Sequence, residues 1–334
     1  MKSILLVDHY TEADVKPADK LETYVRLTGE NIGKMVAGAD LSAYACPGCD
    51  DNTGPEAFRR FGLTYVSCPN CRTLRVSPRP DDGAIAEYYA TSEAEAYWRD
   101  ELSASTADAR MERIVVPRFD WIIDSTQQYL PDADHIVDLG THQETYAKAF
   151  ADLDRFSRKT LLNPICPIDE SHDVSVVHGK LANTLDNGSV DALALFEVLD
   201  RTADVDGLMS AAQRMLRPGG LAFVTGILST GFDIQTLWDK APNIFPPDRL
   251  NVFSVEGLTQ LLEKHGFEVL EFSTPGMFDV ATVAHALETD PETAVPRFVS
   301  YMIENRGAED RQRFQEFLQM NLLSSYGRVL IQRR

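Results

Sequence analysis

Short apolar runs and helix-period stretches alternate through the second half of the chain. Ile136-Val137-Asp138-Leu139-Gly140 predicts a strand ending in glycine, and Glu144–Ala151 a helix after it. Thr160–Asn163, Val174–Val177 and Asp191–Phe196 predict three further strands. Helical Val205–Leu216 follows the last of these, and Arg217-Pro218-Gly219-Gly220 predicts a turn leading into a strand over Leu221–Thr225. Apolar strands separated by helices imply a parallel sheet covered on both faces, with any ligand at the strands' carboxyl ends. The end of the chain departs from that rhythm. Phe267–Phe272 and Gly327–Ile331 read as strands, separated by a mostly helical stretch at roughly 278–323. They predict an edge hairpin carrying a helical insertion.

The first half is less regular. Ser3–Val7 reads as a short strand. Lys20–Val36 has apolar residues at helical spacing, although Gly29 and Gly33 weaken it. Asp81 opens a helix through Ala90, after the break at Pro78-Arg79-Pro80. Ser105–Tyr129 predicts a longer amphipathic helix interrupted near Pro117. These elements divide the chain into an N-terminal strand and helix segment (1–43), a cysteine-rich segment (44–78), a helical linker (79–133) and the alternating region (134–334).

With 334 residues, 44% hydrophobic, 9% aromatic and 25% charged, the chain can bury a full core and is not a disordered polymer. Its formal charge of −19 repels phosphate backbones and anionic lipid. Nucleic acid and membrane are therefore not expected partners, whereas a small anion needs only a local basic pocket. The apolar run at Ile4–Val7 is too short for a secretory core and no stretch reaches membrane-spanning length, so a cytoplasmic location is expected. An exposed N-terminal segment would give a natural homodimer contact.

Cysteines add specific chemistry. Cys46-Pro47-Gly48-Cys49 and Cys68-Pro69-Asn70-Cys71 are two Cys-x-x-Cys turns with 18 residues between them, and Phe58–Ser67 alternates like a short hairpin in that interval. Each turn aims two sulfurs at one point, and two turns close a tetrahedron about Zn²⁺. A full shell of Cys46, Cys49, Cys68 and Cys71 predicts a structural zinc ribbon, since a catalytic zinc keeps one position open. Cys166 stands alone and reads as a buried small hydrophobe.

The strand order resembles the class I S-adenosylmethionine (SAM)-dependent methyltransferase fold, an α/β Rossmann-like seven-stranded sheet ending in an antiparallel pair. Ile136–Gly140 resembles the family's first-strand glycine motif, Leu195–Asp200 the end of its fourth strand, Leu216–Leu221 the turn into the fifth and Leu261–Phe267 the helix into the sixth. Pro246–Ser254 resembles a loop common in members that modify sugars or polyketide-like molecules. With a ribbon in front, the chain is similar to sugar methyltransferases of polysaccharide gene clusters. The resemblance implies SAM held by Asp138, Gly140, Asn163, Phe196 and Glu197, and a small-molecule acceptor such as a nucleotide-linked or polysaccharide sugar.

Departures from the family pattern matter as much. The first loop reads Gly140-Thr141-His142-Gln143-Glu144 in place of Gly-x-Gly-x-Gly, so side chains at 142 and 144 would crowd the methionyl end of SAM. Asn163 replaces the acidic ribose ligand, and His178-Gly179-Lys180 stands where an acidic residue near the adenine is usual. The Glu-His and Pro-Pro-x-His pairs of the family become Asp200-Arg201 and Asp248-Arg249, and a guanidinium cannot accept a proton near neutral pH. Two functions remain open. In the first, the enzyme is active, Arg201 and Arg249 grip an anionic acceptor, and His142, His172 or His178 replaces the lost base. In the second, the domain has lost SAM and survives as a scaffold or binding module. Glu197, near the reacting centre in the first reading, would in the second simply cap the next helix, with Arg201 and Arg249 as solvated charges.

Overall fold

The computed structural model describes residues 11–141, 144–168 and 173–334. Ser3–Val7, His142 and His172 lie outside the described residues, as does the side chain of Glu144. Eleven strands are described: β1 (Glu56–Arg60), β2 (Leu63–Ser67), β3 (Leu74–Val76), β4 (His135–Leu139), β5 (Arg158–Leu162), β6 (Ser175–Val177), β7 (Val190–Phe196), β8 (Leu216–Ile227), β9 (Asn251–Val252), β10 (Phe267–Ser273) and β11 (Tyr326–Arg333).

Seven of them form one sheet in the order β10-β11-β8-β7-β4-β5-β6. The strands from β8 to β6 are parallel, while β11 runs antiparallel to both β8 and β10. This is the expected seven-stranded sheet with its antiparallel closing pair. Central strands are buried on both faces, as crossover helices require. On β4, Val137 and Leu139 pack into one apolar cluster and Ile136 into the opposite one. The helical insertion is present as Asp279–Thr289, Arg297–Asn305 and Ala308–Met320.

One boundary differs from the sequence reading. The strand β8 begins at Leu216, and the Arg217–Gly220 stretch bulges within it: Val190 pairs with Leu216 but Ala192 with Leu221. Gly219 sits at φ +78, which accommodates the extra residues without strain. The helix predicted over Lys20–Val36 runs over Ala18–Gly38 despite its glycines. Gly29 has a tertiary reason, because a Cβ there would come within 2.8 Å of the Phe61 ring. The interruption expected near Pro117 is a wider, π-helical turn over Met111–Val115 that runs directly into the helix Val116–Tyr129.

A second sheet, β1-β2-β3-β9, carries the cysteines. Its hairpin is the one predicted, but β9 comes from the late part of the chain and pairs with β3 through Leu74↔Val252 and Arg75↔Asn251. Tyr65 donates to the carbonyl of Arg249 (2.6 Å), Ser229 to that of Arg72 (3.0 Å), and Ser254 to that of Cys71. The cysteine segment is thus stitched to the loop that carries Asp248 and Arg249.

Candidate active site

A cavity of about 300 Å³ opens at the carboxyl ends of β4 and β7. Asp138, Gly140, Phe196 and Glu197 line it from the sheet side. Tyr24, Glu95 and Arg118 approach from the N-terminal helices, and Asp248 and Arg249 from the loop before β9. The strand ends supply this position because parallel strands all point the same way, leaving their terminal loops to converge on one side.

Gly140 has φ +72, and nothing lies within 4 Å of where its Cβ would stand. The backbone therefore leaves open space at the rim of the cavity, as a loop must where a ligand passes close. Asp138 is 2% exposed; it accepts hydrogen bonds from the hydroxyls of Tyr146 (2.8 Å) and Thr141. Burial pushes its carboxyl up to about 6, against the lowering effect of both hydroxyls.

Glu197 caps the helix Val198–Arg201 with its backbone at φ 59 and makes no side-chain capping bond. A left-handed conformation at a non-glycine residue costs of the order of 1 kcal/mol and marks a position the surroundings over-determine. Its carboxylate accepts from Nη2 of Arg118 (2.8 Å) and of Arg249 (2.9 Å), with Arg201 at 3.9 Å. Burial opposes the charge, but Arg249, Arg118 and Arg201 outweigh it and hold the carboxyl well below the usual carboxylate range. Arg118 also donates to the Tyr326 hydroxyl (3.2 Å) and lies over the Phe196 ring at 5.0 Å. Arg249 faces Asp200 at 3.5 Å, and burial, against that guanidinium, pushes the Asp200 carboxyl up to about 7.

Arg201 stands 3.9 Å from Asp248, which accepts from the hydroxyls of Tyr24 and Tyr89, both at 2.9 Å. Tyr24 also lies 3.0 Å from Glu95, whose carboxyl is pushed up to about 8 by burial and by the neighbouring Asp248. Both arginines expected to grip an anion thus already face carboxylates of this chain.

The structure brings Asp138, Gly140, Phe196, Glu197, Arg201 and Arg249 together around one cavity. It does not bring Asn163 there. At φ 48, Asn163 exchanges hydrogen bonds with Gly179, donating to its carbonyl and accepting from its N–H, both at 2.9 Å. His178 is exposed beside that turn. Sequence reasoning missed Tyr24, Tyr89, Glu95, Arg118 and Tyr146. Tyr24 counts in the sequence only as one apolar position of its helix, and Tyr89, Tyr146, Glu95 and Arg118 fall in no motif, so only the packing of distant helices reveals them.

Among the described residues, the four cysteine sulfurs lie within 4.8 Å of one another. Cys46–Cys71 and Cys49–Cys68 are 3.4 Å apart, far beyond the ~2.05 Å of a disulfide and close to the ~3.8 Å edge of a tetrahedral zinc–thiolate site. No helix of the described residues is long and apolar enough to cross a membrane.

The strand order is that of the class I methyltransferase-type α/β fold. Residues 108–272 match the family described as a methyltransferase domain. Among solved structures, the Burkholderia thailandensis 1,6-didemethyltoxoflavin-N1-methyltransferase is similar at 12% identity, over 83% of this chain and 98% of that one, with a TM-score of 0.42. A SAM-dependent methyltransferase from Mesorhizobium loti is similar at 15% identity over 64% and 98%, with a TM-score of 0.39. The [4+2]-cyclase SpnF is similar at 15% identity over 64% and 80%, also with a TM-score of 0.39. No curated protein matches the chain by sequence.

Proposed function

We propose that this protein transfers the methyl group of SAM to a hydroxyl of a small, sugar-like acceptor held between the N-terminal helices and the carboxyl ends of β4 and β7. The observation that carries this reading is Gly140, whose open space faces the cavity shared with Asp138, Phe196 and Glu197. Those residues fit the methionyl end of the cofactor: Gly140 gives close backbone approach, Phe196 an apolar wall and Asp138 a carboxyl fixed by two hydroxyls. Bound there, SAM supplies an electrophilic methyl group on a sulfonium. The protein's share is positioning, which can lower the barrier by about 7–11 kcal/mol when reacting atoms are held in line. A neutral hydroxyl acceptor is favoured over a multiply charged anion, because Arg201 and Arg249 already face Glu197, Asp200 and Asp248. The four cysteines hold one structural Zn²⁺, which fixes the loop bearing Asp248 and Arg249.

Calorimetry with SAM and its demethylated product tests the reading. Micromolar binding that Gly140→Trp abolishes is the expected result. A second reading is favoured by the ion pairs that lock Glu197 and by the occupied amide of Asn163: a domain of the same fold that no longer takes SAM. Absence of binding at millimolar SAM would establish that reading instead.

A further inference from the structure

The N-terminal helix Ala18–Gly38 brings the Tyr24 hydroxyl between two carboxyl groups of the cavity wall, 3.0 Å from Oε1 of Glu95 and 2.9 Å from Oδ2 of Asp248. A neutral phenol carries one proton and can donate to only one of them. For both contacts to be hydrogen bonds, one of the carboxyl groups must itself be protonated. The surroundings decide which. Asp248 also accepts from the Tyr89 hydroxyl at 2.9 Å and lies 3.9 Å from Arg201, so its charge is compensated. Glu95 is 7% exposed, and in that burial its charge is the costlier one. With Glu95 protonated, the ordering is Glu95 donating to Tyr24 and Tyr24 donating to Asp248; once Glu95 ionises, the Tyr24 hydroxyl donates to it instead.

The charged and titratable groups around Glu95 come from several elements. They are Tyr24, Asp248, Arg201 of the helix Val198–Arg201, Arg99 beyond its own helix, and Tyr88 and Tyr89 of the helix Asp82–Thr91. Burial and Asp248 raise the Glu95 carboxyl, while Arg201, Tyr24 and Arg99 lower it.

We propose that Glu95 is the proton-accepting residue of this cavity, oriented by Tyr24 and Asp248, and that it takes the proton of the acceptor hydroxyl during methyl transfer. The inference rests on the methyl-transfer reading above. The acceptor's O–H bond breaks with its electron pair remaining on oxygen, and the proton goes to the Glu95 carboxylate. That oxygen forms the bond to the methyl carbon as the carbon–sulfur bond breaks, its electrons returning to sulfur. The proton then leaves Glu95 for solvent. A carboxylate whose conjugate acid titrates near neutral pH suits this task better than an ordinary glutamate, which is too weak a base for a hydroxyl.

The test is carbon-13 NMR of protein labelled at the glutamate carboxyl carbons, the Glu95 signal being assigned by its loss in Glu95→Gln. Glu95 should titrate near 8. In Asp248→Asn the midpoint should fall by about one unit or more, because a neighbouring negative charge has gone. In Tyr24→Phe it should rise, because a donor to the carboxylate has gone. Tyr24→Phe carries the test alone if Asp248→Asn fails to fold by circular dichroism. A Glu95 midpoint in the ordinary carboxylate range, or one indifferent to both substitutions, overturns the proposal. Calorimetry with the demethylated cofactor on the same samples separates the two levels. Wild type and Glu95→Gln should bind it within about twofold, since Glu95 faces the acceptor. No binding to wild type would sink the methyl-transfer reading and with it this role for Glu95, whatever its titration.

Discussion

Replacing Glu197 by glutamine is the most informative single perturbation of the site. The substitution keeps shape and volume but removes the charge that Arg118 and Arg249 contact at 2.8 and 2.9 Å. Those guanidinium side chains are only 15% and 10% exposed, so water cannot replace the lost partner fully. Removing one member of a buried ion pair costs about 3–5 kcal/mol. With the Glu197 side chain itself 23% exposed, the lower end, about 3 kcal/mol, applies. At about 2.1 cal/mol/K of unfolding entropy per residue over 334 residues, that is a fall of about 4 °C in melting temperature. Paired urea titrations of wild type and variant at pH 7 would read the difference as a shift in midpoint at constant slope. The pH dependence follows from the sign of the perturbation. A carboxyl held below its usual range contributes stability above the unfolded pKa of about 4.3, and that contribution fades as pH falls toward the folded value. The gap between wild type and Glu197→Gln should therefore be full at pH 7 and shrink below about pH 4. A loss under about 0.5 kcal/mol at pH 7, or a gap that widens on acidification, would refute the claim that this carboxylate anchors the arginine cluster.

Asp138 gives the opposite pH signature. Its folded carboxyl sits near 6, above the unfolded value, so its stabilising share is present below about pH 4 and is lost as pH rises through 6. Relative to Asp138→Asn, wild type should lose about 3 kcal/mol between pH 4 and 8, and a flat difference in denaturant midpoints would contradict it. Metal analysis of purified protein should find one zinc per chain. Its removal by a chelator should lower stability by about 4 kcal/mol if free zinc stands near a thousand times its Kd. The same treatment leaving the melt unchanged would exclude a structural metal.

The fold was legible because it rests on local pattern. Short apolar runs and period-3.6 hydrophobicity located the strands and helices of the alternating region, and the lone strand at Gly327–Ile331 implied the antiparallel closing pair found as β11. Paired Cys-x-x-Cys turns were equally plain, since metal-ligand geometry is set within a few residues of chain. The bulge at Arg217–Gly220 was not, because register is settled by the neighbouring strand. Of the candidate site, the strand-end residues Asp138, Gly140, Phe196 and Glu197 were pointed to by the family resemblance, and they line one cavity because a parallel sheet delivers its carboxyl ends to one place whatever the loops contain. What only the tertiary structure decided is who stands opposite them. Tyr24 stands 224 residues from Asp248 and 71 from Glu95, and their contacts exist because helices packed by apolar faces bring along the polar groups they carry. The roles of Arg201 and Arg249 turned on the same fact, since a guanidinium's availability depends on which carboxylates fold against it. Sequence pattern fixes where an element lies and which face it buries, whereas charge compensation in a cavity is a property of distances between elements.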